Sequence, residues 1–239
     1  METAYRAKYP KPYNYRALYI NEVNERPALG LIVVATAGFL GIVFDINSVF
    51  GFAAESFLTI ERSSVVTTDD DDDGDDGDGE LTAELDVEGV QIPTNGTHGA
   101  FGYGMITDDG DETILVAHTH AGLLDSEAQR FIEDPNWHNH FVKFGDVEHC
   151  GEDQGIVDIT WQSPGEVGID DNIVRISDVP TSEIEGRHSS MTGESLSFTL
   201  GEAVSDVISF KLDSVFGDDG LEAVCVTDIR SAEEVVNLD

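Results

Sequence analysis

The segments TILVAHTH (residues 113–120) and HNHFVKFGDV (residues 138–147) decide the fold class. Both are apolar or alternating runs with the length of a β-strand, and alternate side chains of a strand share one face. In each segment two histidines separated by one residue lie on the same face as the apolar side chains. The histidines therefore continue the apolar, core-facing row of each predicted strand.

Seven more segments of this kind make residues 81–239 a predicted all-β domain. They are Leu81–Val87, Ala100–Ile106, Ile156–Gln162, Asn172–Ser177, Ser195–Leu200, Val207–Leu212 and Leu221–Thr227. About nine short strands separated by turn signals predict a β-sandwich or barrel, and we expect an Ig-like or cupredoxin-like sandwich. A capping-box pattern from Ser126 to Gln129, with Pro135 beyond it, predicts one short helix between the two histidine-bearing strands.

Residues 1–54 have the organisation of a membrane anchor. Residues 1–27 form a tyrosine-rich tail with five basic and three acidic residues, and residues 28–44 carry no charge. With its flank, the segment 28–54 is long enough for a transmembrane signal anchor, which needs about 20 residues. Basic residues before the span predict a cytoplasmic tail, contact with membrane lipid and an extracellular β domain. A cleaved signal peptide ending near Ala54 and a buried soluble helix remain open alternatives.

Residues 55–80 are predicted to be an acidic, disordered linker. The segment ends in DDDDDGDDGDGE (residues 69–80), where like charges repel one another and glycines remove stiffness. The run does not keep the register of an EF-hand loop, which needs glycine at its sixth position and glutamate at its twelfth. We therefore expect a solvated spacer, with weak cation binding as the alternative.

The charge balance points to a halophilic protein. The chain carries 48 acidic and 12 basic residues, a net charge of −36. Self-repulsion of this size is tolerated where molar salt shortens the screening length to about 3 Å. Residues 81–239 contain 33 acidic but only six basic residues, and a nucleic-acid surface needs clustered Lys and Arg. We therefore exclude nucleic acid as a partner of this region.

Two H-x-H motifs are the main chemical signal: His118-Thr-His120 and His138-Asn-His140. If their strands pair antiparallel, the motifs meet at the same end of the sheet, with facing Cβ atoms about 4.5–5.5 Å apart. Imidazoles at that spacing can share a metal ion at about 2.0–2.1 Å. All-imidazole ligation predicts copper or zinc, with copper preferred. The alternative is that each histidine packs in the core and hydrogen-bonds a loop carbonyl.

Other side chains near the motifs are weaker candidates. His149 is a possible additional ligand. Acidic residues between the motifs are either outer acceptors that orient the imidazoles or solvated surface groups. They are Asp125, Glu127, Glu133 and Asp134.

Two further features fit an exported domain. Cys150 and Cys225 are predicted to form a disulfide; the alternative is that Cys150 is a thiolate ligand beside His149, as in blue-copper sites. The cupredoxin order is not matched, because no histidine follows Cys225. Asn95 begins an N-glycosylation sequon, which has meaning only outside the cell.

The block from HTHAGLLDSEAQ to PNWHNHFVKFG (residues 118–145) is similar to exported haloarchaeal proteins of unknown function. This resemblance implies an exported, membrane-anchored protein and no particular activity. Cupins and copper–zinc superoxide dismutases also use H-x-H on β scaffolds, but their remaining ligand patterns are not matched. The first functional hypothesis is a cell-surface metal-binding module. The second is a structural or interaction module of the envelope, with envelope proteins as partners. No general acid–base pair is recognisable, which leaves enzymatic activity undecided but disfavoured.

Overall fold

The computed structural model describes residues 56–68, 79–89, 91–96, 98–108, 113–181, 184–189, 191–198, 200–201, 203–218 and 220–238. These residues form thirteen strands and two short 3₁₀ helices, Ser56–Leu58 and Glu148–Cys150. The strands are β1 Ile60–Thr68, β2 Glu80–Val87, β3 Ala100–Thr107, β4 Ile114–Thr119, β5 His138–Asp146, β6 Gln154–Ile159, β7 Glu166–Asp170, β8 Ile173–Pro180, β9 Ile184–His188, β10 Ser195–Phe198, β11 Val204–Gly217, β12 Gly220–Ser231 and β13 Val235–Leu238.

The all-β prediction is confirmed. Each of the nine predicted strands coincides with an observed one, and β1, β7, β9 and β13 are additional. The short helix predicted from Ser126 is wrong, because residues 121–137 form turns and irregular chain. The predicted tail (1–27) and membrane span (28–54) lie outside the described residues. Within the described part of the chain, no helix has the length and hydropathy needed to cross a bilayer.

The prediction of a disordered linker over residues 55–80 is wrong for residues 56–68, which are folded. β1 pairs with β2 and with β13, and Ile60 and Val65 are each only 1% exposed. The buried Ser63 hydroxyl donates a hydrogen bond to the Glu234 carbonyl. The β-branched residues at 65–68 favour a strand. Because a run of aspartates follows them, the prediction placed the start of the folded domain too late in the chain.

Six antiparallel strands close into a barrel in the order β3-β4-β5-β6-β12-β11, with β11 pairing back to β3. This closure corrects the predicted Ig-like or cupredoxin-like sandwich. The β11–β12 hairpin supplies the two longest strands, of 14 and 12 residues. Its register shifts at Ser209/Lys211 and Val215/Phe216. Such irregularities increase twist and bending, which lets a sheet curve round on itself.

A second sheet, in the order β13-β1-β2-β8-β7, is joined to one side of the barrel by a shared core. The larger hydrophobic cluster contains Leu85 and Ile176 from this sheet together with Leu115 and Phe141 from the barrel. A smaller cluster fills part of the barrel lumen. Its buried members are Ile114, Val116, Val142, Ile156, Ile159, Ile208, Phe210, Leu212 and Val226.

Strand β4 lies between these two cores and is buried along its whole length. Leu115 and Ala117 belong to the larger cluster outside the barrel, whereas Ile114 and Val116 belong to the lumen cluster. Because side chains alternate along a strand, His118 continues the row that faces the lumen. A strand packed on both faces is a rigid support for any group that it projects into the barrel.

Candidate metal centre

The two H-x-H motifs converge at one end of the barrel lumen. His118 lies opposite His138 in the β4–β5 pairing, and His140 lies opposite Val116. All four histidines are at most 3% exposed, including His120, which follows the end of β4. Their ring centroids form neighbouring pairs 4.5–5.3 Å apart. The predicted antiparallel pairing and the convergence of the motifs are therefore confirmed.

Asp125 reaches into the middle of this histidine cluster. Its Oδ2 atom lies 3.1 Å from Nε2 of His120 and 3.9 Å from Nε2 of His118. Its Oδ1 atom lies 3.2 Å from Nε2 of His138 and 3.7 Å from Nε2 of His140. The interpretation of Asp125 as a solvated surface group is therefore wrong, because its carboxylate contacts His120 and His138 and lies within metal-binding reach of the cluster. We call these five residues the His₄Asp cluster.

The orientation of two rings is set by backbone carbonyls. Nδ1 of His138 lies 2.7 Å from the Asn136 carbonyl oxygen, and Nδ1 of His140 lies 2.6 Å from the Thr160 carbonyl oxygen. A carbonyl only accepts, so each Nδ1 carries the proton, and in a neutral ring Nε2 then presents a lone pair. Both lone pairs face the Asp125 carboxylate. At the 3.2 Å between Nε2 of His138 and Oδ1 of Asp125, two electron-rich atoms require a proton or a cation between them.

Several imidazole nitrogens in the cluster have no hydrogen-bond partner. They are Nδ1 and Nε2 of His118, Nδ1 of His120 and Nε2 of His140. A buried polar atom left unsatisfied costs about 1–3 kcal/mol. The alternative in which every histidine simply hydrogen-bonds a loop carbonyl fits Nδ1 of His138 and His140, but it leaves His118 unexplained.

Electrostatics favour the ligand-competent protonation states of His118, His140 and Asp125. Burial lowers the pKa of His118 well below its usual value, and repulsion from His138 and His140 adds to this. Burial also lowers the pKa of His140, against the attraction of Asp125. Burial alone would raise the pKa of Asp125, but the neighbouring histidines outweigh it and hold that pKa well below its usual value. Neutral imidazoles around an ionised carboxylate are the protonation states that bind a metal cation.

The distances fit a shared ion. Donors bound at about 2.0–2.1 Å stand roughly 2.9 Å apart at a right angle and roughly 3.3 Å apart at a tetrahedral angle. The two short contacts of Asp125, 3.1 and 3.2 Å, lie in this range. The contacts of Asp125 with His140 and His118 are longer, at 3.7 and 3.9 Å. In the part of the chain that the structure describes, His118, His120, His138 and Asp125 form one group with all ligand atoms within 4.8 Å of one another, and the predicted ligand His140 is not in this group.

Asp125 is held in place by its own loop. The Asp125 backbone N–H donates to Oε1 of Gln129 at 3.0 Å, and the Gln129 amide donates to the carbonyls of Leu123 and Asp134. The Ser126 hydroxyl accepts from the backbone N–H of residue 128. The residues of the predicted helix cap thus close a turn instead, because the Gln129 side chain accepts from the backbone N–H of Asp125 and not from that of Ser126. The pattern marks the loop that positions Asp125.

Glycine on the neighbouring strand makes room for His118. Gly102 of β3 lies opposite His118 in the β3–β4 pairing. A Cβ atom at this position would stand 2.7 Å from the His118 Cβ and 2.8 Å from the Ala117 carbonyl oxygen. The alternating FGYG sequence at 101–104 therefore places a glycine on the lumen side at the histidine, a signal that sequence analysis missed.

The remaining predicted residues lie outside the cluster. Cys150 and Cys225 form the predicted disulfide, which removes the thiolate alternative. His149 is about half exposed and pairs with Glu222 at 3.3 Å, and it is not part of the group of metal-competent residues. Glu127 and Glu133 are exposed, as is Asn95 of the glycosylation sequon. Glycosylation at Asn95 stays a prediction.

Comparisons with protein-family models, with curated proteins and with solved structures find no match to this chain. The similarity of residues 118–145 to exported haloarchaeal proteins stays a prediction. The geometry of the His₄Asp cluster is therefore the basis for the proposed function.

Proposed function

We propose that this protein is a cell-surface metal-binding module that holds one transition-metal ion in the His₄Asp cluster. The observation that carries the proposal is the arrangement at His138 and His140. Their Nδ1 protons are committed to carbonyl oxygens, so their Nε2 lone pairs point at the Asp125 carboxylate. A metal cation would satisfy both lone pairs, the carboxylate and the unpartnered Nε2 of His118 at once.

The donor set favours copper over zinc. Imidazole nitrogens suit both ions, and the general order of affinities places Cu²⁺ above Zn²⁺. Asp125 adds one hard oxygen donor, which also suits manganese and iron. The test below therefore offers all four metals rather than copper alone.

The proposed setting is a membrane anchor with the β domain outside the cell. Its support is the order of the basic tail, the uncharged run and the acidic segment along the sequence. A disulfide in the domain agrees with an oxidising environment. The topology is tested by protease treatment of intact cells: the β domain should be digested along with a known surface protein, and its survival would refute the outward orientation.

Metal analysis of the untagged full-length chain, purified in molar salt, tests the metal site. After exposure to copper, zinc, manganese and iron and removal of free metal, we expect about one equivalent of one metal per chain. Less than about a tenth of an equivalent of any transition metal would refute the proposal and favour a structural or interaction module.

Three variants locate the bound ion. His138→Gln and Asp125→Asn should lose most of the metal, because each removes a donor while keeping a polar side chain of similar size. His149→Gln is the matched control, since this exposed histidine lies outside the cluster. Equal metal loss in all three variants would mean that the metal is not held by the His₄Asp cluster.

A further inference from the structure

A pocket leads from the protein surface to the His₄Asp cluster through an unfilled end of the barrel. It encloses about 110 Å³, comparable to the roughly 150 Å³ of an apolar cavity that binds a single benzene ring. Its walls are mostly apolar. They include Ala100, Leu124, Ile156, Ile159, Leu212 and Val224.

The pocket meets the cluster on one side only. His118, His120 and Asp125 line it, whereas His138 and His140 do not and are at most 1% exposed. An ion bound in the cluster would have the two β5 histidines on the side away from the pocket and would face the pocket on its other side. Any further ligand that enters by this pocket approaches the ion past His118, His120 and Asp125.

Charge in the pocket selects against anions. Besides Asp125, the acidic Glu222 and the polar Ser214 line the pocket. In molar salt the charge of the whole chain is screened within about 3 Å, so an entering carboxylate or phosphate would be repelled only at short range, by Glu222 and Asp125. The apolar walls reward burial of a hydrocarbon or aromatic body.

We infer that this pocket binds an uncharged small molecule with an apolar body of about one aromatic ring and one donor atom that coordinates the metal. The inference rests on the proposed metal site. The metal fixes the donor end, and the walls formed by β3, β6, β11 and β12 hold the apolar end.

The test uses the copper-loaded full-length protein, or its cobalt-loaded form if zinc is the ion retained. Imidazole, 4-phenylimidazole and benzoate are titrated in turn in molar salt, and the metal spectrum reports coordination. We expect 4-phenylimidazole to bind at least about tenfold more tightly than imidazole, because its ring enters the apolar pocket. Benzoate, which has the same ring but a charged donor, should bind more weakly than 4-phenylimidazole.

Two pocket variants and one matched control assign the effect to the pocket. Val224→Trp and Leu221→Trp each place a large side chain in the pocket at positions that are not metal-binding residues. Val157→Trp is the control, because Val157 is 44% exposed and lies outside the pocket. The preference for 4-phenylimidazole should disappear in both pocket variants and persist in the control.

Metal content is measured before and after each titration, which separates two kinds of failure. Absence of bound metal in the unmodified protein would refute the metal site itself. Retained metal with equal affinity for imidazole and 4-phenylimidazole would refute the pocket inference alone. So would tighter binding of benzoate, or a preference for the phenyl compound that survives both pocket variants.

Discussion

Replacing Gly102 by alanine should damage the metal site although no metal-binding residue is changed. The added methyl group would stand 2.7 Å from the His118 Cβ and 2.8 Å from a backbone oxygen, whereas ordinary contacts begin at 3.4 Å. The neighbouring strand must therefore move by about 0.7 Å (3.4 − 2.7 Å). Because β4 is packed between two cores, this movement displaces His118 rather than being absorbed at a flexible side-chain tip.

The expected magnitudes follow from that displacement. Metal–donor distances tolerate about ±0.2 Å, so a shift of about 0.7 Å weakens or breaks the bond to His118. We expect metal affinity to fall about 10–100-fold, comparable to the loss of a group that orients a ligand. Overpacking should also destabilise the metal-free protein by about 1–3 kcal/mol.

Two other glycines separate these effects. Gly104 faces the same lumen, but its added Cβ would meet only side-chain atoms of Ile114, Ile208 and Phe210, at 3.2–3.4 Å. Gly104→Ala should therefore alter stability with little effect on metal affinity. Gly168 of β7 has no atom within 4 Å, and alanine there should be neutral or slightly stabilising. Calorimetric metal titration and urea unfolding of the metal-free forms measure both quantities. Metal affinity in Gly102→Ala equal to that in Gly168→Ala would refute the reasoning.

Three further perturbations have defined outcomes. Burial keeps the pKa values of His118 and His140 below that of an unfolded histidine, about 6.5. As the pH falls below about 6.5, only the unfolded chain therefore takes up these protons. The metal-free protein should lose stability over this range, by up to about 1.4 kcal/mol per pH unit and group. Urea midpoints between pH 7.5 and 5 measure this, and a constant or rising midpoint would contradict it. Reducing the Cys150–Cys225 disulfide, whose cysteines are 75 residues apart, should lower unfolding free energy by about 4 kcal/mol on the loop-entropy model; a change below about 1 kcal/mol in urea unfolding would show that another contact closes this loop. Lowering the salt from molar to about 0.1 M lengthens the screening distance from about 3 to about 10 Å, so β-sheet circular dichroism of this acidic chain should decrease, and an unchanged spectrum would count against a halophilic protein.

Local sequence patterns predicted the strands and the meeting of the histidine motifs because both depend on neighbouring segments. His118 and His138 come from strands that are consecutive in the chain, so antiparallel pairing alone brings them together. Barrel closure depends instead on pairing between β3 and β11 and between β6 and β12, which are far apart in sequence. Alternation of apolar residues reports which face is buried, but it does not distinguish a closed barrel from two packed sheets.

The role of Asp125 could not be predicted for a related reason. Its position between the motifs made it a candidate acceptor, but a carboxylate in a loop can point to solvent or inward with the same sequence. The inward position depends on Gln129, whose side chain bonds the Asp125 backbone and two carbonyls of the same loop. In the sequence, Gln129 occupies the position of the glutamine in a helix capping box. A glutamine that bridges a short loop uses the same hydrogen-bonding groups as one that caps a helix. The two cases can therefore be told apart only in the folded structure.

The two hydrophobic cores have unequal roles, and this inequality allows the barrel to contain the His₄Asp cluster. The larger core joins the outer face of β4 to the second sheet, so much of the buried apolar surface of the domain lies outside the lumen. The lumen core fills only part of the barrel, and the buried imidazole nitrogens without partners each cost about 1–3 kcal/mol. An ion that binds only the folded cluster would remove part of that cost and raise stability in proportion to the logarithm of its concentration. Metal-dependent stabilisation should therefore be large in the unmodified protein and small in His138→Gln. This variant loses Nε2 of His138, which faces Asp125 because Nδ1 is hydrogen-bonded to the Asn136 carbonyl.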